Sequence, residues 1–476
     1  MELRQRIGSA TCLFLVTTLL LFGSAGNAQV HRSASGTGDA LILPYWTTSN
    51  GNDSLLSIRN DSERAVALKL LWLDEEGGLV YSFNLYLNGR SMWTGATVES
   101  VRLGENTSPN PSVNHLYQSN ACLLPLDLNV NPEDEVDFFE IGAPRGSLEI
   151  IEMASVDPAS ALAPEGRWID CPNLAARFET GAWSSDLAVD LRPPAGRMSA
   201  TIQLINVAVG GMNTIEATAL AGFSDSVQHT APLDYTPDLS HASDTGADAG
   251  GVRSLVCAHG DCRVDEWSLP IKAVAAALTA SALVTDYSVN PGLAAQFEWF
   301  LHRPLYRYQA SIPELQIDSA PLISFFTREG EQYVVCPPED SCIVFPLPDQ
   351  PVPGTSEFDF ELEPSLHVIA LSHAFEPLVN ISPLLGHPIE QLVRVPRFSS
   401  SNPEALNEGI LRLRFDQQET SLTAPAGHRY LGEPVIAFGI QQFSNGTLVD
   451  AAGGSVLANY RGTETPRYHR TIVEPD

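Results

Sequence analysis

The chain is predicted to be mainly β: two antiparallel β-sandwich-like domains with one or two short helices. Three observations carry this. Apolar and polar residues alternate with period two through many short runs, the mark of half-buried strands. Turn dipeptides bound those runs. Gly and Pro are frequent, 35 and 34 of 476 residues, which suits a chain that turns often.

Residues 1–28 read as an export signal. Arg4 and Arg6 give a positive start, 12–22 (CLFLVTTLLLF) an apolar core, and 23–28 (GSAGNA) small residues for cleavage after Ala28. That core is too short to span a bilayer about 30 Å thick as a helix. Cys12 opens the apolar run and does not follow it, so it is not a lipoprotein cysteine. No later stretch is long and apolar enough for a spanning helix, so no membrane insertion of the mature chain is expected.

The strands come next. Val66, Leu68, Leu70 and Trp72 point one way. Tyr81, Phe83, Leu85 and Leu87 alternate with Ser82, Asn84, Tyr86 and Asn88, and Met198, Ala200, Ile202 and Leu204 with Ser199, Thr201, Gln203 and Ile205. Leu411, Leu413 and Phe415 flank Arg412 and Arg414. Asn50-Gly51, Gly77-Gly78, Asn88-Gly89, Gly210-Gly211 and Asn445-Gly446 supply turns. Residues 41–46, 435–443 and 455–460 are more continuously apolar and read as central strands. Ser268-Leu269-Pro270 followed by IKAVAAALTASALV has a cap candidate, a first-turn Pro and a helical stripe, and predicts one helix of about three turns. Smaller helical turns are expected near 157–162 and 173–178. Residues 229–252 carry no apolar periodicity, and no Lys or Arg occurs between Arg197 and Arg253. They read as an acidic linker or loop between domains at 35–228 and 253–470. Residues 104–119 and 336–356 read as further loops. No internal repeat of fixed period appears, which disfavours solenoids and propellers.

Apolar residues are 44% and charged residues 18% of the chain, enough to bury a sizeable core. The 27 basic against 57 acidic side chains give a net charge of −30. Such a field repels phosphate backbones and anionic lipid heads, which argues against nucleic-acid binding and peripheral membrane docking. Only Lys69 and Lys272 are lysines.

Six cysteines follow the signal: Cys122, Cys171, Cys257, Cys262, Cys336 and Cys342. An even count in an exported chain reads as disulfides. Proximity favours Cys257–Cys262 and Cys336–Cys342, leaving Cys122–Cys171. A zinc site fails on spacing, since there is no Cys-x2-Cys and no accompanying His cluster.

Motifs of chemistry are sparse. Asp127, Asn129 and Asn131 open like an EF-hand loop, but Pro132 stands where Gly is needed and Phe138 where a bidentate Glu is needed. A different calcium loop would use Asp127, Asn129, Asn131 and Asp134; a polar turn is the simpler reading. His367 and His373 share a strand face but lie about 20 Å apart. No serine-nucleophile elbow, phosphate loop or dinucleotide fingerprint occurs. No catalytic residue, cofactor or metal is therefore assigned. The aromatic residues Tyr45, Trp46, Trp72, Tyr86, Trp93, Trp299, Phe300, Tyr306 and Tyr308 read as core first and as a glycan platform second. Tyr86 falls on the polar face of its strand.

Several stretches together resemble a family of uncharacterised exported or cell-surface proteins of Gram-negative bacteria. They are Asp39-Ala-Leu-Ile-Leu-Pro-Tyr45, Asn52-Asp-Ser-Leu-Leu-Ser-Ile58, Phe83-Asn-Leu-Tyr-Leu87, Leu148-Glu-Ile-Ile-Glu-Met153, Ala217-Thr-Ala-Leu-Ala-Gly-Phe223, Glu298-Trp299 and 440–446. The segment from Glu298 to Pro304 departs from the family pattern. The resemblance implies export and a mostly β fold, and carries no catalytic or ligand residue with it. The expected function is an exported, non-enzymatic protein with a structural or binding role at the cell surface or in the periplasm. Its partner is unknown, with a glycan or another surface protein as the classes considered. The alternative is a glycan-binding or polysaccharide-active protein using an aromatic face and carboxylates.

Overall fold

The structure is a computed structural model. It describes residues 28–99, 113–117, 121–129, 137–312, 315, 321–330, 332–334, 365–372, 381–389, 391–394, 407–416, 421–449 and 455–475. Residues 1–27, which carry most of the expected export signal, residues 130–136 and the expected Cys336–Cys342 pair lie outside these residues.

The chain is mainly β, in stacked antiparallel sheets. A ten-stranded sheet runs Asp261–Trp267, Val252–Ala258, Gln29–Arg32, Thr218–Ala221, Ala40–Thr47, Arg145–Val156, Val66–Asp74, Leu79–Leu87 and Cys122–Leu124, with Leu191–Arg192 added beside Arg145–Val156. A six-stranded sheet faces it: Gly211–Glu216, Met198–Asn206, Asp53–Asn60, Ser91–Glu99, Val113–Tyr117 and Asp137–Ile141. The period-two residues meet between them. Val66, Leu68, Leu70, Trp72, Phe83 and Leu85 pack on Leu56, Ile58, Met198, Ala200, Ile202 and Leu204. Each such side chain, fully buried, contributes about 1.5–3 kcal/mol.

The second sandwich pairs two five-stranded sheets. One is ordered Gln391–Arg394, Leu366–Ser372, Ala295–His302, Ile436–Val449, Ser455–Glu464. The other is ordered Gln332–Val334, Leu322–Phe326, Glu408–Arg414, Ala282–Ser288, Arg467–His469. Leu411, Leu413 and Phe415 meet Phe297, Trp299 and Leu301 in its core. Its outer aromatic face closes on the first sandwich: Phe300 stacks on Phe438 with ring centroids 4.9 Å apart, and Tyr45 sits 5.1 Å from Phe300.

Two helices complete the fold, α1 (Cys171–Glu179) and α2 (Pro270–Leu278). Asp170 caps α1 by accepting from Asn173 N. The expected helix after Pro270 is α2. Its apolar run Ala273–Leu278 is buried under the large sheet, while Lys272 stays partly exposed.

Two expectations are revised. Residues 229–252 form a loop, but a docked one. Leu239 is buried, and Lys69 Nζ donates to Ala231 O at 2.9 Å and Asp234 O at 2.8 Å. The strands after it, Val252–Ala258 and Asp261–Trp267, extend the large sheet of the first half, so the second sandwich begins with Ala282–Ser288 and not at 253. The cause is a parallel pairing of Gln29–Arg32 with Val252–Ala258, which has no local signature. Within 104–119, Val113–Tyr117 is a strand. His115 is its inward residue, fully buried between Trp93 and Phe139 at 5.4 and 5.1 Å, and it breaks the apolar pattern.

Candidate functional site

The candidate binding site is an open pocket of about 380 Å³ where three distant segments meet. They are the end of strand Gln29–Arg32, the hairpin joining Val252–Ala258 to Asp261–Trp267, and residues 468–470. Its polar wall is basic: Arg32, His259, His469 and Arg470, with Tyr468 and Cys257 beside them. No carboxylate lines it.

Local structure fixes each group. Ala258 and Asp261 pair across a two-residue turn whose central residues, His259 and Gly260, have φ of +53° and +92°. That is the primed geometry that suits the twist of a tight hairpin, and it lifts His259 to the tip. Cys257 pairs with Cys262 directly across the hairpin, and the two are joined by a disulfide. Arg32 lies over the Tyr468 ring, its guanidinium carbon 3.6 Å from the centroid, a cation–π contact that orients the planar group. Arg470 donates to Ala277 O at 2.5 Å. This carbonyl lies in the last turn of α2, where the helix leaves acceptors unpaired and its dipole favours a cation.

The electrostatics are those of crowded positive charge. Burial, and next the neighbouring Arg32, hold Arg470 down to about 10. Burial, then Arg412, His259 and Arg467, hold His469 below the ordinary imidazole value. Among the described residues neither Arg32 nor Arg470 has a carboxylate at ion-pair distance, in a chain with more than twice as many acids as bases. An anion entering here relieves repulsion between the guanidinium groups and meets donors already in place.

Other buried charges are spoken for by the fold. On the outer side of the large sheet, Glu149 accepts from Arg307 at 2.7 Å; Glu152, cross-strand from Leu68, accepts from the backbone N–H of Ala195 and Gly196 at 2.6 and 3.0 Å. Asp39 accepts from Phe223 N and Ser224 N. Glu298 accepts from Ser382 Oγ. All four carboxylates are at most 3% exposed, so none offers catalysis to a substrate from solvent. Burial pushes Asp39 up to about 6, Glu149 and Glu298 to about 7 and Glu152 to about 8.

The sequence-predicted residues fall as follows. Tyr45, Trp46, Trp72, Tyr86, Trp93, Trp299 and Phe300 are all buried, so they make no aromatic face for a glycan. Tyr306 and Tyr308 are half-buried and each lies under an arginine, Arg303 and Arg307 respectively. Cys122–Cys171 and Cys257–Cys262 are disulfides, with Cα atoms 5.3 and 4.0 Å apart. Of the Asp127, Asn129, Asn131, Asp134 set, Asp127 and Asn129 lie in the turn Leu126–Asn129, and Asn131 and Asp134 lie outside the described residues, as does His373. Among the described residues no three His, Cys, Asp or Glu side chains gather as metal ligands, and no helix is long and apolar enough to cross a membrane. Sequence reasoning missed the pocket, because Arg32, His259 and Arg470 each lie more than 200 residues from the next. The only local hint was the Cys-Ala-His-Gly-Asp-Cys hairpin.

No family model matches the chain, and neither the curated proteins nor the solved structures contain a significant match.

Proposed function

We propose that this is an exported, non-enzymatic binding protein of the cell surface or periplasm, and that its ligand presents a small anionic group to Arg32 and Arg470. One observation carries the reading: a carboxylate-free pocket holding two arginines and two histidines on a chain of net charge −30. Among the described residues Arg145, Arg177, Arg253, Arg303 and Arg307 each meet a carboxylate. Here the positive charge is left facing a cavity, and such focused fields attract ions of opposite sign. The disulfides fit an oxidising compartment, and the signal-like residues 1–28 supply the route there.

Calorimetry with inorganic phosphate and with sulfate on the purified chain tests this. Binding is expected at low ionic strength, weakening as salt rises, and lost in Arg32→Gln and Arg470→Gln. Absence of binding by either anion, or binding unchanged in both variants, overturns the reading.

A further inference from the structure

The pocket brings a disulfide and two arginines around one cavity, from three segments of the chain. Cys257 lines it together with Arg32 and Arg470, and both Cys257 and Cys262 are exposed. The other described bridge is placed differently: Cys122 is buried in the cluster under α1. Thiol–disulfide exchange is carried by a thiolate, and its rate follows access to the sulfur and the identity of the attacking thiol. A positive field at an accessible sulfur concentrates anions there and stabilises any thiolate that leaves.

We propose that Cys257–Cys262 is an exchange site selective for small thiols that also carry carboxylate or other anionic groups. The inference rests on the anion-binding reading of the same pocket and names the ligand class. The ligand's anionic groups seat on Arg32 and Arg470 while its thiolate reaches the Cys257 sulfur. Arg32 is braced on Tyr468 and Arg470 is tied to Ala277 O, so the long side chains are already ordered before the ligand arrives.

The step balances. The thiolate attacks Sγ of Cys257, the S–S bond breaks, and the electron pair leaves on Sγ of Cys262, which takes a proton from water. A mixed disulfide remains on Cys257. A second thiolate attacks the ligand sulfur of that mixed disulfide and releases the symmetrical ligand disulfide. Cys257 then departs as a thiolate beside the two arginines. Two thiols are oxidised and the bridge is reduced by two electrons.

A charge series of thiols is the test. Glutathione, 2-mercaptoethanol and cysteamine are compared at low salt, each rate normalised to its thiolate concentration. Differential alkylation and mass spectrometry read Cys257, Cys262, Cys122 and Cys171 separately. Glutathione is expected to open Cys257–Cys262 faster than 2-mercaptoethanol by about tenfold, with cysteamine slowest. The mixed disulfide is expected on Cys257. The preference is expected to collapse in Arg32→Gln, in Arg470→Gln and at high salt. Equal normalised rates across the series, or a charge preference that both variants keep, overturn the proposal. If phosphate or sulfate binds the oxidised protein but the series shows no charge preference, this inference alone falls. If neither is seen, the anion-binding reading falls with it.

Discussion

Tyr86 and His229 stand 143 residues apart and share a buried hydrogen bond, the phenolic oxygen 2.9 Å from Nε2. His229 Nδ1 lies 2.9 Å from Leu187 O, so the ring donates there and accepts from Tyr86. Burial holds His229 down to about 4, which keeps it neutral and able to accept. The pair explains why an aromatic residue occupies the polar side of its strand: the outer side of the large sheet is covered by α1 and by the loops around it, not by water.

Tyr86→Phe leaves Nε2 of a buried imidazole without its donor. The expected loss of stability is about 1–3 kcal/mol, read by urea denaturation. A variant as stable as the parent would mean that the hydrogen bond does not form in solution.

Lys69→Met removes the ammonium that holds the carbonyls of Ala231 and Asp234. Stability is expected to fall by about 2–3 kcal/mol, and limited proteolysis is expected to cut first within 229–240. Unchanged protease resistance there would count against the docked loop.

Glu152 carries a pH signature. Burial, with the charge of Asp39 adding to it, raises this carboxyl from 4.5 to about 8 against the pull of two backbone N–H groups. Between those values the folded chain holds a proton that the unfolded chain has released. Its contribution is complete below about 4.5 and is lost as pH rises through about 8, by at most about 1.4 kcal/mol per pH unit. The stability of the parent relative to Glu152→Gln is therefore expected to decline from pH 5 to pH 8. Parallel denaturation profiles for the two proteins would refute this.

The Cys122–Cys171 bridge spans 49 residues and Cys257–Cys262 spans 5. On the chain-entropy argument the first contributes about 4 kcal/mol and the second about 2. Paired Cys→Ser replacement at 122 and 171 is expected to lower Tm more than replacement at 257 and 262. Non-reducing peptide mapping is expected to join Cys336 to Cys342, and N-terminal sequencing of the exported chain to begin at Gln29. A peptide linking Cys171 to Cys257, or a mature chain that keeps Arg4, would contradict these assignments.

The strands were legible wherever one sheet face meets a core and the other meets solvent, as in Met198–Asn206, whose burial alternates residue by residue. Legibility failed where both faces are covered. Lys69, Asn84 and Glu149 look like solvent-facing positions, yet each is buried beneath chain that it helps to hold. The loops carry single anchors such as Leu239 in place of a repeating pattern, so period analysis sees nothing in them. The pocket was hidden for another reason. Arg32 and Arg470 are ordinary in sequence, and only the meeting of strand Gln29–Arg32 with strand Arg467–His469 makes them neighbours.

That meeting sets an order of events during synthesis. Strand Gln29–Arg32 is among the first stretches to emerge from the ribosome, but its parallel partner arrives only with residue 252 and the third wall of the pocket with residue 468. Long-range pairings of this kind form slowly, since the intervening chain has to be closed first. A chain that stops short of residue 468 therefore lacks the Tyr468–Arg470 side of the pocket, even where it can build much of the first sandwich.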